Sequence, residues 1–142
     1  MSKFAVVFWS QTGHTEAMAN AVADGIKEGG NEVDIFDDVT EFNSGLVANY
    51  DGIAFGCPAT GVESLEEDEF EPMYEEVKGS LNGKKVALFG SYGWGDCEWM
   101  TNWAEDCKGT GCVLVSDPVT ANDEPDDDAI AECIALGKAL TA

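Results

Sequence analysis

No arginine occurs anywhere in this 142-residue chain, and its 7 basic residues face 28 acidic ones, for a formal net charge of -21. So negative a surface repels nucleic-acid phosphates and anionic lipid headgroups, which excludes nucleic acid and membrane surfaces as partners and favours proteins with basic faces. Long hydrophobic runs are missing too. The apolar stretch nearest the start, FAVVFW at residues 4–9, is too short for a signal-peptide core or a membrane span, so the chain reads as cytoplasmic. Histidine is limited to His14, and the five cysteines (Cys57, Cys97, Cys107, Cys112, Cys133) include no CxxC pair. No zinc or iron–sulfur ligand set can be assembled from them, so no metal is expected and the thiols should be mostly buried and reduced. The length allows one sizeable core and not two ordinary domains, so residues 1–142 read as a single domain, by default a monomer.

What the chain does contain is a regular alternation of short apolar runs and amphipathic ones. KFAVVFW (3–9) has the pattern of a strand covered on both faces, and Thr15 to Gly29 follows as a helix with Met18, Val22 and Ile26 on its buried side. EVDIF (32–36) and IAFG (53–56) read as the next strands, with a short helix around Leu46, Val47 and Tyr50 between them. Phe70, Met73, Tyr74, Val77 and Leu81 recur at helical spacing ahead of the strand VALFG (86–90). Trp99, Trp103 and Cys107 mark another helix, Cys112 to Val115 a fifth strand, and Pro125 with Asp126–Asp128 the start of the last helix. Ile130, Ile134, Gly137 and Leu140 are predicted to line that helix's buried side.

Five short strands alternating with helices call for a parallel sheet with helices on both faces, because parallel neighbours need crossover connections. Ligands of such α/β sheets sit beyond the carboxyl ends of the strands. Three segments lie there by this reading: Ser10–Thr15, Cys57–Glu66 and Ser91–Asp96.

The first segment puts the Ser10, Thr12 and Thr15 hydroxyls beside the N–H groups of a helix start, which suits a phosphate, although the same hydroxyls also serve as ordinary helix caps. A nucleoside-triphosphate loop is excluded, since no GxxxxGK[ST] lysine follows Gly13. In GSYGWGD (90–96), glycines let the backbone turn sharply and leave Trp94 and Tyr92 to offer a flat face to a planar ligand, whereas Trp99 and Trp103, on a helix stripe, belong to the core. The carboxylates Glu63, Glu66, Glu67 and Asp68 have no base, nucleophile or metal cluster beside them and read as an acidic rim. Glu124 to Asp128 lacks the DxDxDG calcium spacing and reads as helix capping.

A phosphate site, a glycine turn and an exposed indole at one edge of the sheet describe a pocket for a phosphorylated flat ring, best met by flavin mononucleotide (FMN). Here SxTGxTExMA, the CxATG turn, EFEPxxEE and KKVALFGSYGWGD resemble the flavodoxin family, in particular its short-chain clostridial-type members, nearly end to end. The resemblance implies a flavodoxin-like doubly wound five-stranded parallel sheet of order 2-1-3-4-5. It also implies that Ser10, Gln11, Thr12, Gly13, His14 and Thr15 wrap the phosphate, and that Trp94 stacks on the outer flavin face. Glu63 would accept from the ring N3–H, while Ala59, Thr60, Gly61, Val62, Tyr92 and Gly93 line the ring and its carbonyl edge, and Pro58, Ser91 and Gly95 also belong to the cofactor site. His14, Pro58 and Thr60 depart from the asparagine, serine and methionine common at those places.

In the family, the peptide after the loop glycine turns over on reduction so that its carbonyl meets the new N5–H; Gly61-Val62 is the matching bond. A carboxylate about 10 Å away disfavours an added negative charge by roughly 0.4 kcal/mol in water, or roughly 20 mV, so an acidic protein should hold its flavin at low potential. The function expected is a low-potential carrier passing electrons one at a time between redox proteins such as reductases and ferredoxin-linked oxidoreductases. An FMN-dependent quinone or nitro-compound reductase on the same fold is the rival reading. A signalling receiver module is rejected, because SQTGHT, GCP and SDP stand where it needs an acidic pair, an aspartate and a lysine.

Overall fold

The computed structural model describes residues 2–10, 13–59, 66, 68–93, 97–122 and 124–141. Strands β1 (Lys3–Phe8), β2 (Glu32–Phe36), β3 (Gly52–Gly56), β4 (Lys85–Tyr92), β5 (Val113–Leu114) and β6 (Val119–Asn122) form one parallel sheet in the order β2-β1-β3-β4-β5, with β6 also paired to β4. Helices α1 (His14–Glu28), α2 (Ser44–Val47), α3 (Phe70–Val77), α4 (Glu98–Gly109) and α5 (Asp127–Thr141) make the crossovers and the close of the chain.

Period-two alternation along the strands divides the core into two layers. Ala5, Val7, Ile53, Phe55, Val86 and Leu88 face α3 and α4, where they meet Phe70, Tyr74, Val77, Trp99 and Trp103. Phe4, Val6, Phe8, Ala54, Ala87 and Phe89 face α1 and α5, meeting Met18, Val22, Ile26, Leu136 and Leu140. Met18, Val22 and Ile26 are fully buried, each contributing about 1.5–3 kcal/mol relative to exposure. Trp99 and Trp103 are core residues, as their helical spacing predicts.

Two expectations need correction. The fifth strand position is occupied twice: β5 pairs with the first residues of β4 (Lys85↔Val113, Val86↔Leu114) and β6 with its last (Phe89↔Val119 to Tyr92↔Asn122). Ser-Asp-Pro at 116–118 interrupts the edge, since proline offers no N–H to a ladder. The second correction concerns α5, which begins at Asp127 and buries Ala129, Cys133, Leu136, Gly137 and Leu140, while Ile130 and Ile134 are only half-buried. A methyl group on Gly25 would lie 2.1 Å from the Ile134 carbonyl oxygen, and one on Gly137 2.1 Å from that of Val22. The two helix backbones thus touch at glycines, and the isoleucines flank the contact instead of filling it.

Candidate functional site

The carboxyl ends of β1, β3 and β4 lie side by side through the register Phe8↔Gly56↔Phe89. The chain beyond them stays in step: Trp9 N–H donates to the Gly56 carbonyl (3.0 Å), Cys57 N–H to Phe89 (3.1 Å) and Ala59 N–H to Ser91 (2.9 Å). Trp99 Nε1 donates to the Cys57 carbonyl at 3.3 Å. Gly90 is required at this crossing, because a Cβ there would sit 2.1 Å from the same carbonyl oxygen.

The first loop enters α1 through Gly13, whose φ of 90° places it in the left-handed region. Ser10 Oγ accepts from the N–H of Gly13 (3.1 Å) and of Glu16 (3.3 Å), which leaves the His14 and Thr15 N–H groups, among the described residues, as the helix-start donors without a side-chain acceptor. The buried Thr15 hydroxyl meets the buried Ser91 hydroxyl at 3.1 Å, tying the first loop to the third. Trp9 Nε1 donates to Glu69 Oε1 at 3.1 Å and ties the chain just ahead of the first loop to the start of α3, just past the middle one. Ser10, Gly13, His14, Thr15, Pro58, Ala59, Ser91, Tyr92 and Gly93 are thereby gathered at one edge of the sheet, with Tyr92 packed on Trp99 at a centroid distance of 5.7 Å. Gln11, Thr12, Thr60, Gly61, Val62, Glu63, Glu67, Trp94 and Gly95 lie outside the described residues.

The expectation for Glu66 changes. It is no rim carboxylate: only 8 % exposed, it accepts from the backbone N–H of Asp68 (2.8 Å), Glu69 (2.7 Å) and Phe70 (2.8 Å), so it caps α3. Its own N–H donates to Cys57 Sγ at 3.4 Å, which fastens the end of the middle loop to the end of β3. Burial alone would raise its pKa; the three donors more than reverse this and hold it below the usual carboxylate range. Burial likewise pushes the Cys57 thiol up, so it is a packed, unreactive sulfur. The sequence signal for Glu66 was the acid four residues ahead of the Phe70 stripe. At the other acidic run, Asp126 Oδ1 accepts from Ala129 N–H (2.8 Å), in line with capping of α5.

Uncharged hydroxyls, helix-start N–H groups without a side-chain acceptor among the described residues, and the absence of any lysine or arginine in 8–16, 57–70 or 89–99 fit a phosphate monoester ended by a neutral ring. These features define a doubly wound α/β protein with a candidate cofactor edge beyond β1, β3 and β4. The flavodoxin sequence profile matches residues 6–137. The flavodoxin of Clostridium beijerinckii is 47% identical over 135 residues, covering 95% of this chain and 96% of that protein. That of Megasphaera elsdenii is 43% identical over 136 residues, covering 94% and 95%. The solution structure of two-electron reduced M. elsdenii flavodoxin superposes with a TM-score of 0.89 at 42% identity, covering 96% of this chain and 97% of that one. The chain belongs to the flavodoxin family: it is an FMN-binding electron carrier and not an enzyme. No helix among the described residues is long and apolar enough to cross a membrane.

Proposed function

We propose that the whole chain, as one domain, carries electrons singly and at low potential on non-covalently bound FMN, between cytoplasmic redox proteins that dock through basic faces. The observation that supports this reading best is the cross-tied cluster of three loops, Trp9 to Glu69 and Thr15 to Ser91, which offers neutral donors at one edge of the sheet. Bound there, FMN supplies chemistry in steps of one electron.

In this reading the Ser10 and Thr15 hydroxyls and the N–H groups of His14 and Thr15 bind the phosphate, with Gln11, Thr12 and Gly13 completing the wrap, and the positive end of the α1 dipole favours its charge. Pro58, Ala59, Thr60, Val62, Ser91, Tyr92, Gly93 and Gly95 would hold the cofactor's ring end. Trp94 would exclude water from the ring and Glu63 would orient it by accepting from its N3–H. The Gly61-Val62 peptide is the element that reorients, because glycine tolerates both backbone states. Carboxylates over the whole surface, net -21, oppose any added negative charge and so lower the potential of the second electron.

The same charge brings a basic-faced partner into register. The test is anaerobic electron transfer from a basic-faced flavoprotein reductase, followed by stopped flow. The rate is expected to fall steeply between low and high ionic strength, and a flat response would contradict charge-guided docking.

A further inference from the structure

Far from the cofactor edge, α4 ends and the chain turns into β5. The turn is made at Gly111, with a φ of 86° that lets the chain fold back on the helix. It sets Cys112 over Cys107, their Sγ atoms 3.0 Å apart, inside the ordinary non-bonded separation of two sulfur atoms and about 1 Å from a covalent S–S length. The arrangement is held from several sides. Thr110 Oγ1 donates to the Cys107 carbonyl at 2.6 Å and accepts from Cys112 N–H at 3.3 Å, while Cys112 Sγ reaches the same Cys107 carbonyl at 3.1 Å. The spacing is CxxxxC, so the pair carries no familiar sequence signature.

We propose that Cys107 and Cys112 form an oxidation site, a dithiol that closes to an intramolecular disulfide by exchange with a small-molecule disulfide of the glutathione type. Cys112 is half-buried and is the thiol a solute reaches, while Cys107 is fully buried behind it. The Cys112 thiolate attacks one sulfur of the small disulfide, forming a mixed disulfide and releasing one small thiolate. The Cys107 thiolate then attacks Cys112 Sγ and expels the second. Two protein thiols lose two electrons and two protons, and the small disulfide gains them as two thiols.

Burial opposes ionisation of Cys107. The Tyr74 hydroxyl, buried and without a hydrogen-bond partner among the described residues, belongs to the same core cluster as Cys107.

Among the described residues the other cysteines have no comparable partner. Cys97 Sγ faces Thr120 Oγ1 at 3.8 Å, and Cys57 Sγ is engaged by the Pro58 carbonyl and Glu66 N–H. Cys133 is fully buried, with its thiol pushed up to about 12 by that burial. The pair sits at the amino end of β4 and β5, and the cofactor edge at the far end of β4 (Lys85–Tyr92), about 20 Å away at the rise of a strand. Oxidation of the pair should leave the flavin spectrum unchanged.

The experiment treats the purified, FMN-loaded protein with glutathione disulfide and then counts thiols in denaturant alongside an intact-mass measurement. The count is expected to fall from five to three with no retained glutathione, and cleavage after Lys108 should leave the two halves joined through Cys107 and Cys112. Cys107→Ser should stop at a mixed disulfide on Cys112. Cys112→Ser, a change at a half-buried position, should retain all four of its thiols and form no link. A count that stays at five, a stable glutathione adduct on wild-type Cys112, or a link through any other cysteine would overturn the proposal. Failure to bind FMN would instead count against the carrier reading and leave the thiol result standing.

Discussion

Replacing Glu66 tests how the middle loop is anchored. Its carboxylate receives three backbone N–H groups at 2.7–2.8 Å, but these differ in what they lose. Asp68 and Glu69 are exposed and water can take over their N–H groups, whereas Phe70 is fully buried and its N–H would be left without a partner. An orphaned buried donor costs about 1–3 kcal/mol, and the loss of charge-assisted bonds to the other two adds a fraction of that. Glu66→Ala should therefore destabilise the fold by about 2–4 kcal/mol. With a urea dependence of about 2 kcal/mol per molar, the unfolding midpoint should drop by about 1–2 M at pH 7.

The sign of the pH effect follows from the lowered pKa. Stability contributed by Glu66 is fully present above its unfolded value of about 4.3 and is lost as pH falls through the lower folded value. Glu66→Gln keeps one acceptor oxygen and no charge, so its deficit against wild type should be visible at pH 7 and shrink toward pH 3. Urea titrations of both proteins across that range decide the matter. Equal midpoints at neutral pH, or a deficit unchanged by acid, would refute the capping argument.

Gly25→Ala adds a methyl 2.1 Å from the Ile134 carbonyl oxygen, so α1 and α5 must separate. The overpacking cost of about 1–3 kcal/mol outweighs the helix-propensity gain of about 1 kcal/mol, and the urea midpoint should fall while FMN still binds. Thr15→Val removes the hydroxyl that meets Ser91 and should weaken FMN binding about tenfold, or about 1.4 kcal/mol, in a flavin-fluorescence titration. Gly61→Ala penalises the reoriented peptide by about 1 kcal/mol, so potentiometry should find the two one-electron potentials closer together by roughly 40 mV, and an unchanged gap would count against the turnover step.

The parallel sheet was legible because it depends on local pattern. β-branched and aromatic runs at 3–9 and 86–90 can only be strands covered on both faces, and Gly13 and Gly90 stand where the chain must turn or cross. What could not be read depends on approach distances between elements far apart in sequence. Hydrophobicity places Ile130, Ile134, Gly137 and Leu140 on the buried side of α5, and the last two are buried, but the close approach of Gly25 to the Ile134 carbonyl and of Gly137 to the Val22 carbonyl turns Ala129 and Cys133 inward in place of the two isoleucines. β6 escaped notice because Val-Thr-Ala-Asn is short and follows a proline. Glu66 looked like its acidic neighbours in composition, and only folding brings its carboxylate over three N–H groups. Likewise Cys107 and Cys112 meet through a left-handed glycine that no cysteine spacing rule anticipates.

The central claim is that the edge built by β1, β3 and β4 grips one FMN and meters its electrons. Anaerobic titration of the freshly purified protein with dithionite, followed by absorption, tests this most directly. The account predicts a yellow protein with one FMN per chain whose spectrum changes in two resolved one-electron steps. A colourless protein that stays colourless after incubation with FMN would contradict it.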